Sequence, residues 1–396
     1  MAAVTPVLKK FVPSQSLNSV IYSLILIGVI GFAVGLMKDQ SRLWTSYLVA
    51  FFFFSSLGLG GLFFSAVNFV ANAGWSSGIR RLSEGMSAFL PVMFFGSLIL
   101  LLGVKKLYPW ADPEVIAAVP LVQAKTAYLN IPFLIVRLVV FGLGSLYFAH
   151  KIVGNSLLQD STGDAELTHK NRRTGIAFIL FFAIFFSLFS VDLLMSLLPT
   201  WYSTIFGVYL FAGLFQSSLA FLMLLMIFIK NNQFVQGYYT VEHVHDVAKY
   251  LKAFTVFWAY IAFSQFMLIW YANIPEETEF FLMRAQNGWM AVSMALLIFK
   301  FVVPFLALLP RGAKRNEVHL TGVCLLILLT QYLDIFWLVY PNFNENNLVF
   351  GFQELTMIAL FLGIFLLTTS RFLQKNNLVA IKDPRLHESL SHHVTY

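Results

Sequence analysis

The chain has 396 residues, of which 59% are hydrophobic and 11% charged, with a formal net charge of +7. A soluble domain carries about 25% charged residues, so water is not the main solvent here and a soluble globular enzyme is excluded. The positive balance reads as a bias of loop charge across a membrane and not as a nucleic-acid footprint.

Apolar runs long enough to cross a hydrocarbon core of roughly 30 Å recur along the chain. Strand alternation is absent, so each run is read as a helix that satisfies its own backbone. Ten spans are predicted, at about 17–37, 44–70, 86–104, 128–150, 174–197, 201–229, 250–273, 287–309, 318–340 and 349–370. The fold class is therefore an all-α integral membrane protein.

The first span follows Lys9 and Lys10 with no small-residue cleavage site after it, and reads as a retained anchor. In span 2, "GLGGLFF" (58–64) is no nucleotide loop, because no strand precedes it; small residues in a span point to close helix packing. The connection at about 105–127 holds "DPEVIAAVP", a short helix with Asp112 as cap and Pro113 in the first turn. That connection is open to two readings, a docking surface or a solvated loop.

Span 4 carries Arg137 in "FLIVRLVV", about nine residues from its start and so roughly 14 Å deep. Span 5 carries Asp192 in "FSLFSVDLLMSLLP", about five residues from its end. Before span 7, "EHVHD" (242–246) looks like a metal cluster, but His243 and His245 are two residues apart and do not share a helix face. A solvated helix start is expected there, with Asp246 near the positive end of the helix. Gln265 lies near the middle of span 7. Lys300 lies near or past the midplane in span 8, in "LLIFKFVV". Span 9, "LLTQYLDIFWLVYP", places Gln331 one turn below Asp334, and Glu354 enters at the start of span 10.

The basic residues set an orientation. Of 26 lysines and arginines, 18 fall in the even-numbered connections and the two tails. Six (Lys38, Arg42, Lys105, Lys106, Lys125 and Arg284) fall in the odd connections, and Arg137 and Lys300 lie inside spans. Both termini are expected to be cytoplasmic. The lone Cys324 excludes an internal disulfide and a cysteine-ligated cluster, and the eight histidines lie in the cytoplasmic loops, the carboxy-terminal tail or the cytoplasmic span ends. The chain is expected to carry no redox centre or metal of its own.

Spans 2–5 and 6–9 read as a parallel repeat. Laid together, Trp44 meets Trp201, Ser46 meets Ser203, Phe54 meets Phe211, Arg137 meets Lys300, Asp192 meets Asp334 and Pro199 meets Pro341. Four helices per copy keep both copies in the same direction through the membrane. The expected organisation is an amino-terminal tail (1–16), span 1 with a short periplasmic loop (17–43), one four-helix bundle (44–197), a second (198–340), span 10 (341–370) and a cytoplasmic tail (371–396).

Each bundle then holds one base and one acid on neighbouring helices. A charge at mid-bilayer costs about 2.5–3.5 kcal/mol on insertion scales, so each should find a partner. Arg does not surrender its proton, which favours a structural ion pair for Arg137 and Asp192, with a second proton path as the other reading. Lys300, Asp334 and Glu354 can all titrate, which favours a proton path, with Gln265 and Gln331 orienting bridging water.

"FSVDLLMSLLPTWYSTIFGVYLFAG" (189–213), "EHVHDVAKYLKAFTVFWAYIAFSQFMLIWYANIPEET" (242–278) and "LVQAKTAYLNIPFLIVR" (121–137) resemble the F subunit of bacterial alternative complex III. The wider relatives of that subunit are the membrane subunits of polysulfide and nitrite reductase complexes. The resemblance implies two four-helix bundles with flanking helices, in a quinol:cytochrome c or quinol:oxidase oxidoreductase of the bacterial inner membrane. It also implies that haem c and iron–sulfur clusters sit on partner subunits and that a homologous membrane subunit oxidises the quinol. This subunit would contribute structure and a proton path. Two other readings stand beside it: a quinol-binding subunit in its own right, and an independent secondary transporter.

Overall fold

The computed structural model of the chain describes residues 6–344 and 347–393. Among these, ten helices are long and apolar enough to cross a membrane. They are α1 (Gln15–Lys38), α2 (Gln40–Val70), α3 (Arg80–Leu107), α4 (Ile131–Thr162), α5 (Glu166–Leu197), α6 (Phe206–Asn231), α7 (Val241–Ala272), α8 (Trp289–Ala307), α9 (Glu317–Asn342) and α10 (Phe352–Lys375). The protein is all-α and multi-pass. Its described sheet is one antiparallel pair of two-residue strands, β1 (Val7–Leu8) and β2 (Val235–Gln236).

Local sequence explains where the helices begin and stop. Asp39 both ends α1, through its N–H to the Gly35 carbonyl, and caps α2, accepting from the Arg42 N–H at 3.0 Å. Asn130 caps α4, which stops at Gly163 with φ of 72°. Thr240 caps α7. The expected short helix is Pro113–Ala118, capped by Asp112 at 2.9 Å from the Glu114 N–H.

Several helices outrun the apolar windows read from the sequence. The α4 helix continues to Thr162 and α5 starts at Glu166, because charged turns outside the hydrocarbon stay helical until a cap intervenes. The opposite happens at α6. It starts at Phe206, not at 201, because Trp201 is held in the preceding loop, stacked on Phe280 at 4.1 Å and donating to the Glu277 carbonyl. Trp44, inside α2, therefore has a partner in the repeat that is not helical.

The helices form two rings with the same order. In the first, α2 packs on α3, α3 on α4, α4 on α5, and α5 closes on α2; α6 to α9 repeat this. The rings meet where α2 packs on α6, while α1 and α10 pair with each other and α10 lies on α2. Burial follows position: 94% of the apolar window of α2 is buried against 22% for α1. The small residues of α2 make the closest approach. A Cβ on Gly60 would stand 1.9 Å from the Ser218 Oγ of α6, and one on Gly61 2.5 Å from the Ser83 carbonyl of α3.

The starts of α3, α5, α7 and α9 share one face, here called the basic face, with the ends of α2, α4, α6, α8 and α10. A carboxy-terminal strap (376–393) crosses it, with Leu378, Val379 and Ala380 buried. The strap ties to the first bundle through Arg385 to the Asn72 carbonyl, and to the second through His392 to Asp246 at 2.5 Å. The "EHVHD" stretch lies under the strap, so His243, His245 and Asp246 are buried, not solvated as expected. His243 bonds Ser389 of the strap at 2.9 Å. The chain ends, 1–5 and 394–396, lie outside the described residues.

Candidate functional site

Both sequence-predicted base–acid pairs form. In the first bundle Arg137, early in α4, meets Asp192, late in α5. The contact is two-pronged: Nε to Oδ2 at 2.8 Å and Nη2 to Oδ1 at 2.9 Å. Nη1 donates to the Tyr128 carbonyl at 3.1 Å, and the guanidinium lies 3.9 Å over the Tyr128 ring and 4.3 Å from that of Phe133. This is a planar cation that makes three hydrogen bonds, two of them to one carboxylate, and lies against two aromatic rings.

In the second bundle Lys300 of α8 bonds directly to Asp334 of α9 and donates to the Gln331 Oε1 at 2.6 Å. The Asp334 carboxylate also accepts the Tyr209 hydroxyl from α6 on Oδ1 and the Trp258 Nε1 from α7 on Oδ2, the latter at 3.2 Å. The ammonium sits 4.3 Å over the Trp258 ring. All four helices of the bundle thus converge on one carboxylate. Lys300 lies in a π-helical stretch, Leu296–Val302, a geometry that recurs at functional sites. Gly213 of α6 makes room: a Cβ there would stand 2.5 Å from the Gln331 Oε1.

The other expected members of this group lie elsewhere. Glu354 bonds neither Lys300 nor Asp334 among the described hydrogen bonds. It takes a two-pronged contact from Arg42 at 2.9 and 2.8 Å, the Tyr340 hydroxyl at 2.5 Å, the Ser46 Oγ at 3.2 Å and the Gly351 N–H at 2.6 Å. The reason is angular: Tyr340, which meets Glu354, is six residues past Asp334 and so roughly a third of a turn round α9 from it. Gln265 is buried, but its Nε2 makes no hydrogen bond among the described residues, to Asp334 or to anything else. The expected bridging water has no gap to fill between Lys300 and Asp334, since their contact is direct.

Tyr209 and Trp258 went unread because an aromatic residue in a chain that is 17% aromatic carries no signal of its polar tip. Arg284 was read as a loop charge and is instead almost fully buried. It grips the end of α9, donating to the carbonyls of Trp337 at 3.1 Å and Leu338 at 2.8 Å, and to that of Phe280 at 2.7 Å. Burial lowers the proton affinity of its guanidinium. Lys125 does the matching job at the end of α5, donating to the Pro199 carbonyl at 2.6 Å, and its burial lowers its proton affinity too. A cation at each helix carboxy-terminus opposes the negative end of the helix dipole.

The cleft on the face opposite the strap, about 380 Å³, opens beside the first pair. Lys125, Tyr128, Met195, Ser196, Trp201 and Tyr202 are among its walls. The Tyr128 hydroxyl is buried there near Asp192 without a hydrogen bond of good geometry. Compared with protein-family models and with curated proteins, the chain matches none, and the two pairs stand on their geometry alone.

Proposed function

We propose that this chain is an integral membrane subunit of a respiratory quinol:cytochrome c or quinol:oxidase oxidoreductase, acting as scaffold and as a proton conductor through its second bundle. The observation that carries the reading is the composition of the Asp334 group. Lys300, Asp334 and Tyr209 can each give or take a proton, whereas the matching position in the first bundle is filled by an arginine that cannot.

Proton transfer from the Lys300 ammonium to the Asp334 carboxylate leaves an amine and a carboxyl. The pair is neutral overall before and after, so the low dielectric does not forbid the step. Burial favours the uncharged form of each partner and mutual attraction favours the charged form, which narrows the gap between the two states. Tyr209 adds a hydroxyl that can pass a proton along α6. The Arg137–Asp192 pair, by contrast, pins α4 to α5.

In this reading the basic face lies in the cytoplasm of a bacterial inner membrane, with both termini there, following the positive-inside bias. Haem c and iron–sulfur clusters belong to partner subunits, one of them a homologous quinol-oxidising membrane subunit. A second reading, quinol binding by this chain itself, is favoured by the aromatic-walled cleft beside Asp192. A secondary transporter would purify alone; a respiratory subunit would purify with haem-bearing partners.

The test is Asp334→Asn in the purified assembly, reconstituted into vesicles. The proton-to-electron ratio should fall while uncoupled quinol oxidation continues. A wild-type ratio in a fully assembled variant would make the second pair structural. Loss of quinone-analogue labelling on blocking the cleft would favour the second reading.

A further inference from the structure

Four cations gather where the α4–α5 hairpin leaves the apolar stretches of the sequence. Lys151 directly follows the run that ends at 150, and Lys170, Arg172 and Arg173 lie just before the one that begins at 174. Both helices continue past this level, to Thr162 and from Glu166. The cations therefore sit at the edge of the hydrocarbon, with the hairpin tip about 17 Å beyond it. All four are exposed. None makes a side-chain hydrogen bond or an ion pair among the described residues. The acids of the hairpin are displaced from them. Asp160, Asp164 and Glu166 stand at the tip, where Asp160 takes Arg81 at 2.8 Å and Asp164 takes the Glu166 N–H at 2.9 Å. Glu166 is one turn before Lys170 and makes no ion pair with it among the described residues. Lys382 of the strap adds a cation beside the tip, its ammonium on the Ser161 carbonyl, and Arg80 and Arg81 meet Asp383 and Glu84. With these neighbours included, seven cations stand against five carboxylates, so the excess is positive.

Three of the four share a groove. The outer sides of α4 and α5 meet where Phe181 presses on Gly144: a Cβ there would stand 2.3 Å from the Phe181 Cζ. Phe148 packs on the same ring at 5.3 Å. Lys151 is seven residues past Gly144 and Lys170 eleven before Phe181. Each therefore lies within about 20° of the line of its contact residue. Arg173, three residues from Lys170, borders the same line. The bond of Asn155 to Asn171 at 2.9 Å fixes the register between the helices. With it, Lys151, Lys170 and Arg173 fall within about 8 Å of one another along the axes. Arg172 is about 160° round α5 from Lys170 and belongs to the other side. Gly154, the next turn beyond Lys151, has open space where a Cβ would be. Tyr147, one turn nearer the hydrocarbon, is exposed, with the Lys151 ammonium 5.9 Å from its ring centre.

We propose that this groove binds the headgroup of an anionic phospholipid, with Lys151, Lys170 and Arg173 around its phosphate. The cations stand at the depth where lipid phosphates lie, and their long stems can run along apolar surface. Tyr147 is an amphipathic ring of the kind that sits at headgroup level. On the membrane side of the cations, exposed Leu143, Leu180 and Ile184 present apolar surface to acyl chains. Basic pockets between membrane helices recur as anionic-lipid sites, and each cation near the surface contributes about fivefold in affinity. An acidic protein segment fits this groove less well. The tip acids Asp164 and Glu166 lie between the cations and the solvent and repel it, whereas a lipid phosphate arrives from the membrane side.

The test titrates the full chain, in micelles of a neutral detergent, with dioleoyl phosphatidylglycerol and separately with dioleoyl phosphatidylcholine, read by native mass spectrometry. Phosphatidylglycerol should bind with about tenfold preference or more, weakening as salt rises. Lys151→Gln with Lys170→Gln should weaken its binding roughly 25-fold. Arg172→Gln with Lys375→Gln removes the same charge away from the groove and should change it by less than about twofold. Lys151 and Lys170 have no ion pair in the chain to lose. Lys151→Arg with Lys170→Arg should keep the affinity, so that a loss in the Gln pair reports charge and not folding. Equal binding of the two lipids would overturn the proposal and leave an acidic partner segment as the occupant. An equal loss in the two charge-matched doubles would also overturn it, reducing the groove to the general potential of the basic face.

Discussion

Asp192→Asn removes a charge and keeps a shape, and so isolates what the first ion pair contributes. Arg137 would keep its bond to the Tyr128 carbonyl and its contacts with two rings, but face a neutral amide in place of a two-pronged carboxylate. Two charge-assisted hydrogen bonds at about 1.5–3 kcal/mol each set the scale. Breaking a buried pair from one side costs about 3–5 kcal/mol, and the two figures agree. Arg137→Met with Asp192→Leu removes both charges and should recover most of that, ending within about 1–2 kcal/mol of wild type. Asp334→Asn should behave differently. The single amide oxygen keeps an acceptor for Tyr209 or for Trp258, Lys300 keeps Gln331, and the stranded ammonium can shed its proton where a guanidinium cannot. While that ammonium is charged, the folded state carries a penalty that the unfolded state does not. The unfolded state then binds more protons, and the Asp334→Asn deficit shrinks as pH rises. The Asp192→Asn deficit should stay flat. Equilibrium unfolding in mixed micelles at neutral and alkaline pH reads both. An Asp192→Asn deficit under about 1 kcal/mol, the worth of a solvated pair, would refute the reasoning. So would equal pH dependence in the two variants.

Arg284→Gln strips two or more carbonyl contacts from the end of α9 and should destabilise by about 3 kcal/mol in the same assay; a neutral effect would mean the contacts contribute nothing. Gly60→Ala drives a methyl into the Ser218 Oγ and should destabilise the join between the bundles by about 1–3 kcal/mol, with partial rescue by Ser218→Gly and none by a distant glycine. Because burial lowers the proton affinity of Lys125, the unfolded chain holds that proton longer. Stability should therefore rise with pH through its titration, and Lys125→Met should abolish that slope. Cysteines placed singly at Lys375 and Leu348 should label from opposite sides of the membrane, with the buried Cys324 silent; labelling from one side would overturn the ten-span topology.

What was legible in the sequence was what a membrane makes expensive. Arg137, Asp192, Lys300 and Asp334 stood out because a charge in an apolar run needs a partner, and the matched order of base and acid in two runs named the partners. Gly60 and Gly61 were legible for a similar reason, since small side chains in a span permit a close approach. Glu354 was misplaced in its grouping because depth along a helix axis was readable and rotation about it was not. Its partner Arg42 looked like a loop charge but opens α2. Tyr209 and Trp258 hold Asp334 through single polar atoms on otherwise apolar bodies, which composition cannot distinguish from packing. The strap was unreadable for a further reason: Asp383, Ser389 and His392 are ordinary tail residues until the fold brings α3 and α7 beneath them.

The two bundles share a ring order and a base–acid pair, yet the pairs differ in composition. Asp192 is held by one residue with a fixed charge, reinforced from the loop that precedes α4. Asp334 is held by three residues from three other helices, two of which can exchange a proton. A carboxylate that only had to join two helices would need no such convergence, since Arg137 does the job with one side chain. Replacing arginine by lysine in the second copy gives up the planar two-pronged contact and gains a group that can be neutral. The helix also departs from regular geometry at Lys300, which lies in the π-helical stretch, and does not do so at Arg137. Grafting the second arrangement's base into the first, as Arg137→Lys, should therefore weaken the first bundle. It would not reproduce the second site, because the Tyr128 hydroxyl stands near Asp192 without the direct bond that Tyr209 makes to Asp334. Lys300→Arg should do the reverse, keeping the charge, freezing the proton, and overfilling a site shaped around an ammonium over Trp258.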